Sequence, residues 1–280
     1  MTEIVVEELS ENNSDDWSTV YNSVMRRGLR FSPISSRMLE QIVRSLKPYN
    51  IKYLVAYENG IPSGICSYSK KDDNVFRIVD FCVLPHGEKP GTILVDMMLS
   101  EARAREYEIM SCWLPLSAPK SLDVLAEYLF NAGDSRVLMR HFLTESPRGP
   151  KQEISEYPEI DSEPSVLPFE TGFQMYSLLE SLKTSWYHAA TINNTISQNS
   201  GIEVYLSTKM NRQGWIFPTC EALAPIDVDI LSAALSYLYD AGVRDVLTES
   251  EGAMQWQKSF REYSFKEICT QFELSFDLMH

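Results

Sequence analysis

The residues whose types and spacing best suggest chemistry lie in one stretch, 80–103, which reads DFCVLPHGEKPGTILVDMMLSEAR. Asp80 begins an apolar run that is predicted to be a strand. A loop with two prolines and two glycines follows at 85–91, and a helix is expected to begin near Thr92. Backbone N–H groups at a helix N-terminus bind anions, and glycine lets a ligand approach the backbone closely. The stretch therefore predicts a site for a phosphate-bearing ligand.

Hydrophobic periodicity and turn signals predict the elements that would position this site. The expected order is a strand, two helices, a three-stranded meander, a helix, a strand, a helix and a strand, at residues 4–9, 17–24, 38–46, 51–57, 61–68, 75–84, 92–106, 109–114, 121–132 and 137–143. Asn59 and Gly60 lie between two apolar runs, which is typical of a hairpin. Gly133 is expected to end the last helix. The order predicts an α/β fold with a mixed sheet.

This order of elements resembles the GNAT-type N-acetyltransferases over roughly residues 3–145. The run HGEKPG at 86–91 is similar to the Arg/Gln-x-x-Gly-x-Gly/Ala loop of that family, with the last Gly kept and with His and Lys at the first and fourth positions. The resemblance implies acetyl-CoA as co-substrate, with its pyrophosphate at the loop and its pantetheine and thioester on the preceding strand. The cofactor-binding residues that it implies are Phe81, Cys82, Val83, His86, Gly87, Lys89, Gly91 and Thr92. An ordinary strand-to-helix connection is the alternative interpretation of the loop.

The resemblance also implies a general base and a general acid for transfer to an amine. Asp80 is the expected base, and the alternative is a strand-end acid that is paired with Arg77 or exposed to solvent. The acid of the family is a Tyr four residues before a Gly-Phe pair. Counting back from Gly133 gives Leu129, so the neighbouring Tyr128 is the candidate acid. The alternative for Tyr128 is a packing role, because aromatic residues dominate protein cores.

The second half of the chain weakly repeats the first. Leu99-Ser100 aligns with Leu235-Ser236, the residues VLP at 83–85 align with LAP at 223–225, and Ser264-Phe265 resembles the Gly-Phe pair. We therefore expect two tandem GNAT-like domains, 1–145 and 169–280, joined by a proline-rich acidic linker at 146–168. Asp227 and Asp229 at a helix start would repel a pyrophosphate, so the second domain is expected to lack the phosphate loop. An unrelated α/β domain is the alternative.

Composition restricts the partners. A net charge of −14 argues against a general nucleic-acid or anionic-membrane binder and is compatible with an amine-bearing small molecule or peptide. The five cysteines form no CxxC pair and lie mostly in apolar runs, so reduced thiols in a cytoplasmic protein are expected. No secretory signal or membrane-spanning run is recognised. The four histidines show no metal-ligand spacing, so no metal is expected.

Two functions remain open at this point. The first is an acetyl-CoA-dependent N-acetyltransferase that acts on a primary amine, with its active site in the first domain. The second is a non-catalytic module that binds an acyl-CoA or a protein partner, because the loop departs from the family pattern at two positions and no Tyr stands in register.

Overall fold

The computed structural model describes residues 2–25, 34–45, 51–69, 74–147, 152–156, 186–193, 201–207, 213–218, 228–251 and 254–279. These residues form two compact units. The first unit contains residues 2–134 and 271–279, and the second contains the described residues from 135 to 270. Within the described ranges, no helix is both long and apolar enough to cross a bilayer.

The first unit is a mixed sheet with helices on its faces. Its elements are β1 (Ile4–Glu8), α1 (Ser14–Met25), α2 (Ser36–Ser45), β2 (Ile51–Glu58), β3 (Ile61–Ser69), β4 (Val75–Val83), α3 (Glu88–Ala104), β5 (Ile109–Pro115) and α4 (Pro119–Glu127). Strands β1 to β5 lie in chain order; β4 and β5 are parallel, and the other neighbours are antiparallel. The hairpin turn has φ values of 51° at Asn59 and 78° at Gly60, which are favourable for these two residue types.

The second unit has a related order of elements. They are β6 (Asn131–Phe142), β7 (Glu153–Glu156), β8 (Trp186–Asn193), β9 (Gly201–Ser207), β10 (Gln213–Pro218), α5 (Val228–Asp240), β11 (Asp245–Glu251), α6 (Met254–Glu262) and β12 (Lys266–Asp277). The strand order is β6-β11-β10-β9-β8-β7, and β10 and β11 are its parallel pair. The mixed α/β architecture that the sequence predicts is confirmed.

The end of the chain completes the sheet of the first unit. Residues 271–277 of β12 pair antiparallel with β5, from Gln271 opposite Pro115 to Asp277 opposite Ile109. The ring of Phe276 lies 5.4 Å from that of Phe130. The domain boundaries 1–145 and 169–280 stay a prediction from the sequence. The compact units are divided differently, because residues 271–279 belong to the first unit. Of the predicted linker, residues 153–156 form the edge strand β7, and 148–151 and 157–168 lie outside the described residues.

Helix α3 begins earlier than the sequence indicates. It begins at Glu88 and not near Thr92, because the N–H of Gly91 already donates to the carbonyl of Gly87 at 2.8 Å. Pro90 is tolerated here, since the first turn of a helix needs no N–H at that position. The loop between β4 and α3 is therefore only four residues long, 84–87.

Helix α4 also ends earlier than predicted, at Glu127. Leu129 has a φ of 62°, which breaks the helix, and Gly133 lies inside β6. The second unit ends α6 in the same way, with a φ of 61° at Ser264. The sequences at these ends are EYLF at 127–130 and EYSF at 262–265. The helix that the sequence predicts to end at Gly133 thus ends before Leu129-Phe130, and the similarity between the two halves is clearest at these helix ends.

The sheet of the first unit has two buried faces with different composition. The α3 face carries apolar side chains that share a core with α3: Leu54, Ala56, Cys66, Tyr68, Phe81 and Val83. Alternate residues point to the other side, which we call the α1 face because Trp17 of α1 packs on it: Tyr53, Val55, Ile65, Ser67, Asp80 and Cys82. The polar members of the meander are concentrated on the α1 face.

Candidate functional site

Strands β4 and β5 separate after a short parallel pairing. Residues 75–78 of β4 pair with residues 109–112 of β5, and no further pairs form, although β4 continues beside β3 to Val83. The peptide groups of β4 beyond Ile78 therefore lack a β5 partner. The resemblance seen in the sequence predicts that the thioester arm of acetyl-CoA would lie along this part of the strand.

The chain itself occupies the N–H at the end of this separation. The N–H of Val83 donates to the hydroxyl of Ser121, a fully buried residue of α4, at 2.9 Å. A Cβ at Gly91 would lie 2.9 Å from Cγ2 of Val83 and 3.3 Å from Val124. Gly91 thus serves the close packing of α3 against β4 and α4. We call the region between α3 and α4 beside Val83 the α3–α4 groove, and it is closed by these contacts.

Three polar contacts join α4 and the residue that follows it to α3. Nζ of Lys120 lies 2.6 Å from the carboxylate of Glu88. The hydroxyl of Tyr128 donates to Oδ1 of Asp96 at 2.6 Å and lies 3.2 Å from the carbonyl of Thr92. Burial, and then the hydrogen bond to Asp96, raise the pKa of the Tyr128 hydroxyl well above its usual value. In this conformation Tyr128 holds α4 to α3.

The loop amides are only partly available to an anion. The N–H of Gly87 donates to the carbonyl of Leu84 at 2.8 Å, the N–H of Gly91 is used within α3, and Pro90 has none. A Cβ at Gly87 would lie 2.3 Å from the carbonyl oxygen of Ser63, so this glycine is required by contact with β3. Three exposed residues of the loop and of the start of α3 have backbone N–H groups without a hydrogen-bond partner among the described residues: His86, Glu88 and Lys89.

The α1 face holds a buried carboxyl. Asp80 is 3% exposed, and the hydroxyl of Ser67 donates to its Oδ2 at 2.5 Å. Burial raises the pKa of Asp80 to about 7, and the hydrogen bond from Ser67 opposes that rise only in part. Asp80 is thus not a solvent-exposed strand-end acid. A carboxyl that titrates near neutral pH is suited to accept a proton.

Asp80 belongs to a row of polar side chains across three strands. Tyr53 on β2 is opposite Ser67 on β3, and Ser67 is opposite Asp80 on β4. Trp17 covers the row, with its ring centroid 6.0 Å from that of Tyr53 in an edge-on arrangement. Nε1 of Trp17 and the hydroxyl of Tyr53 are buried and have no hydrogen-bond partner among the described residues. Burial, and then the charge of Asp80, raise the pKa of Tyr53.

The structure does not bring the two predicted catalytic residues together. Asp80 lies on the α1 face, whereas Tyr128 packs against the core of the α3 face. Among the predicted cofactor-binding residues, Phe81 and Val83 point to the α3 face and Cys82 points to the same side as Asp80. Burial raises the pKa of the Cys82 thiol well above its usual value, so this thiol is not a nucleophile at neutral pH.

Sequence reasoning missed Ser121, Trp17 and Tyr53. The partnership of Ser121 with Val83 spans 38 residues, and no local pattern indicates it. The row that includes Tyr53 depends on strand register, which a sequence alone does not fix. The four described cysteines, Cys66, Cys82, Cys112 and Cys269, are free and buried, as expected, and Cys220 lies outside the described residues.

The second unit repeats the strand separation. Residues 213–216 of β10 pair with residues 245–248 of β11, and the hydroxyl of Thr248 donates to the carbonyl of Ile216 at 2.9 Å. The loop that would carry a phosphate, including Asp227, lies outside the described residues. His188 belongs to strand β8, where Nε2 lies 3.1 Å from the hydroxyl of Thr191 and the ring stacks on Tyr205 at 5.0 Å.

Comparisons with known proteins agree with this architecture. No protein-family model matches the chain, and no curated protein matches it in sequence. Among solved structures, a GCN5-related N-acetyltransferase from Sphaerobacter thermophilus superposes with a TM-score of 0.67 at 12% identity, over 98% of this chain and 96% of that one. A tandem GNAT protein from the clavulanic acid biosynthesis pathway gives a TM-score of 0.62 at 13% identity, over 99% of both chains.

A further similar structure is a GCN5-related N-acetyltransferase from Anabaena variabilis, with a TM-score of 0.52 at 9% identity over 99% of this chain and 73% of that one. These superpositions establish the fold, but at identities of 9–13% they do not establish the chemistry, which is argued from the site. The chain has the fold of the GCN5-related N-acetyltransferases in its tandem form, as its sequence predicts.

Proposed function

We propose that the protein is an N-acetyltransferase that transfers the acetyl group of acetyl-CoA to a primary amine of a small molecule or peptide. The observation that carries this proposal is Asp80, a buried carboxyl whose pKa of about 7 lies near the pH at which a base must both accept and release a proton. It lies on the part of β4 that has separated from β5. The fold supports the reaction class.

The reaction needs one proton acceptor and one proton donor. The neutral amine nitrogen attacks the thioester carbonyl carbon, a C–N bond forms and the C–S bond breaks. Asp80, in its ionised form, accepts the proton that the nitrogen loses. The departing thiolate takes up a proton from solvent. Tyr128, the candidate acid from the sequence, is the alternative proton donor to the thiolate. Since only ionised Asp80 can act as a base, the rate should rise as pH increases through about 7.

Acetyl-CoA fits the first unit only after the α3–α4 groove opens. The hydrogen bond from the N–H of Val83 to Ser121 must be replaced by one to the ligand. Such a replacement costs about 1 kcal/mol, which lowers the affinity for acetyl-CoA by less than tenfold. The N–H groups of His86, Glu88 and Lys89, with the Lys89 ammonium, are the groups that would hold the pyrophosphate. The carboxylate of Glu88 opposes this binding, although Lys120 partly neutralises it.

The test is acetyl-CoA-dependent thiol release with a panel of primary amines. Asp80→Asn should lower kcat by about a hundredfold or more, because the amide cannot accept the proton. The same change at the exposed Asp134 is the matched control and should leave the rate unchanged. Equal rates for the Asp80 variant and the parent would exclude this base.

The non-catalytic alternative predicts a different result. In that case acetyl-CoA raises the unfolding temperature, since it binds only the folded chain, but no amine promotes thiol release. Absence of both effects at millimolar acetyl-CoA would exclude the two functions together.

A further inference from the structure

The α1 face contains more hydrogen-bonding capacity than the described chain uses. Nε1 of Trp17 can only donate, and the hydroxyl of Tyr53 can donate or accept. Trp17 is 0% exposed and Tyr53 is 4% exposed, yet neither polar atom has a partner among the described residues. The carboxyl of Asp80 accepts from Ser67 through Oδ2, and no other described residue donates to it. Buried polar groups in proteins are nearly always paired, so the two unpaired atoms of Trp17 and Tyr53 call for a partner, and Asp80 has a second carboxylate oxygen that can accept a hydrogen bond.

The three groups differ in the kind of hydrogen-bond partner that each can bind. Asp80 presents a carboxylate oxygen, which suits the N–H of an amine. Trp17 and Tyr53 present donors, which suit an oxygen atom of the ligand. Neighbouring strands lie about 4.8 Å apart, so the backbones of Tyr53 and Asp80, two strands apart, are about 10 Å from each other. The tyrosine side chain spans part of that distance, and a short ligand can span the remainder.

We infer that the acetyl acceptor is a primary amine that carries a hydrogen-bond-accepting oxygen a few bonds from its nitrogen, with the nitrogen at Asp80 and the oxygen at Trp17 and Tyr53. That the ligand is an acetyl acceptor rests on the proposed function, whereas the inferred binding site does not depend on it. An amino alcohol is the simplest ligand of this kind. A plain alkylamine leaves the two donors unpaired.

The experiment compares two matched series of ligands on the full chain. One series is the linear amino alcohols from ethanolamine to 5-aminopentanol, and the other replaces each hydroxyl with a methyl group, from propylamine to hexylamine. Affinity is measured by the rise in unfolding temperature without acetyl-CoA. At the best chain length, the amino alcohol should bind at least about tenfold more tightly than its alkylamine, because an unpaired buried donor disfavours a ligand by about fivefold to 150-fold.

Variants that remove one donor each identify the two donors. Tyr53→Phe and Trp17→Phe should each reduce the preference for the amino alcohol by about threefold or more, because each removes one donor. Tyr53→Phe should also raise the unfolding temperature of the free chain or leave it unchanged, since it removes only an unpaired hydroxyl. Trp17→Phe also removes a buried ring and leaves a cavity, so it should lower the unfolding temperature, and only its effect on the preference is diagnostic. Tyr68→Phe, on the α3 face, is the control. Its hydroxyl donates to Glu101 at 2.5 Å, so this change should lower the unfolding temperature and keep the preference.

The outcomes separate this inference from the proposed function. Equal affinities for both series at every length would overturn the inference, even if amines are acetylated. A preference for amino alcohols without any acetyl transfer would support the site and exclude the enzyme. If Tyr53→Phe and Trp17→Phe leave the preference unchanged, the inference is wrong, and a lower unfolding temperature for Tyr53→Phe would show that its hydroxyl holds an internal water.

Discussion

The two faces of the first sheet differ in how completely their polar groups are used. On the α3 face, the hydroxyl of Ser121 accepts the hydrogen bond of the Val83 N–H, and Gly91 lets α3 approach Val83 within contact distance. On the α1 face, Trp17 and Tyr53 keep buried donors without partners among the described residues. A ligand on the α3 face must therefore displace contacts of the chain, whereas a ligand on the α1 face supplies contacts that are missing.

The difference has a direct energetic meaning. Closing a groove with the protein's own side chains stabilises the free protein and lowers ligand affinity by the same amount. Leaving buried polar groups unpaired destabilises the free protein by about 1–3 kcal/mol for each group, and a ligand that pairs them recovers this energy. The α1 face should therefore contribute less to stability and discriminate more strongly between ligands. Removing a polar group should stabilise the free protein on the α1 face and destabilise it on the α3 face.

The largest effect is expected at Asp80 on the α1 face. Its pKa is about 7 in the folded chain and 3.8 in the unfolded reference, so the folded state disfavours the ionised carboxyl. Below about pH 4 the group is protonated in both states and contributes nothing. As pH rises toward 7 the unfolded chain ionises first, and the free energy of unfolding falls by about 4 kcal/mol in total. Asp80→Asn removes this loss.

Chemical denaturation at pH 4 and pH 8 measures this effect. The Asn variant should be more stable than the parent at pH 8 and about equally stable at pH 4. Tyr53 and Cys82 on the same face stay neutral over this range, because burial raises their pKa values further above it. A variant that is less stable than the parent at pH 8 would show that the carboxylate is needed for folding, and would remove the contrast between the faces.

On the α3 face, Gly91→Ala should destabilise the protein. The added Cβ would lie 2.9 Å from Cγ2 of Val83, and overpacking of this kind costs about 1–3 kcal/mol, from which the better helix propensity of alanine recovers up to about 1 kcal/mol. Val83→Ala in the same chain should relieve the clash, so the double variant should be more stable than the sum of the single changes predicts. Additive losses would place the strain elsewhere.

Ser121→Ala tests the closure of the α3–α4 groove, because it should lower the stability of the free protein and raise its affinity for acetyl-CoA. The free protein should lose about 1–2 kcal/mol of stability, because the N–H of Val83 is left buried and unpaired. The apparent affinity for acetyl-CoA should rise by about fivefold, because the ligand no longer competes with the Ser121 hydroxyl. Ser232→Ala, a buried serine on α5, is the control for stability. Lower stability without tighter acetyl-CoA binding would show that the groove holds no thioester arm.

The sequence predicts the parts of this molecule that depend on local pattern. The hairpin at Asn59-Gly60 follows from residues that accept positive φ, and the meander follows from alternation. The prediction that Gly133 ends α4 is wrong, because the helix already ends before Leu129, a residue that rarely adopts the positive φ it has here. The candidate site depends on register between β2, β3 and β4 and on the contact of Ser121 with Val83, which are tertiary and leave no local pattern.

The smallest expected effect belongs to the repeated tyrosine at the ends of α4 and α6. The hydroxyl of Tyr128 donates to Asp96 at 2.6 Å, and that of Tyr263 donates to the carbonyl of Val228 at 3.0 Å. Both hydroxyls hold one helix to another, and both are partly exposed. Tyr128→Phe and Tyr263→Phe should each cost about 1 kcal/mol or less, because water screens and replaces exposed contacts.

This matched pair also separates a packing role from a catalytic one. The hydroxyl of Tyr128 donates its proton in a hydrogen bond to Asp96, so kcat should change by less than about twofold in either variant. A fall of about tenfold or more in kcat for Tyr128→Phe alone would identify Tyr128 as the proton donor to the thiolate. That result would also show that the α3–α4 groove opens during turnover, because the hydroxyl must then leave Asp96 to reach the sulfur.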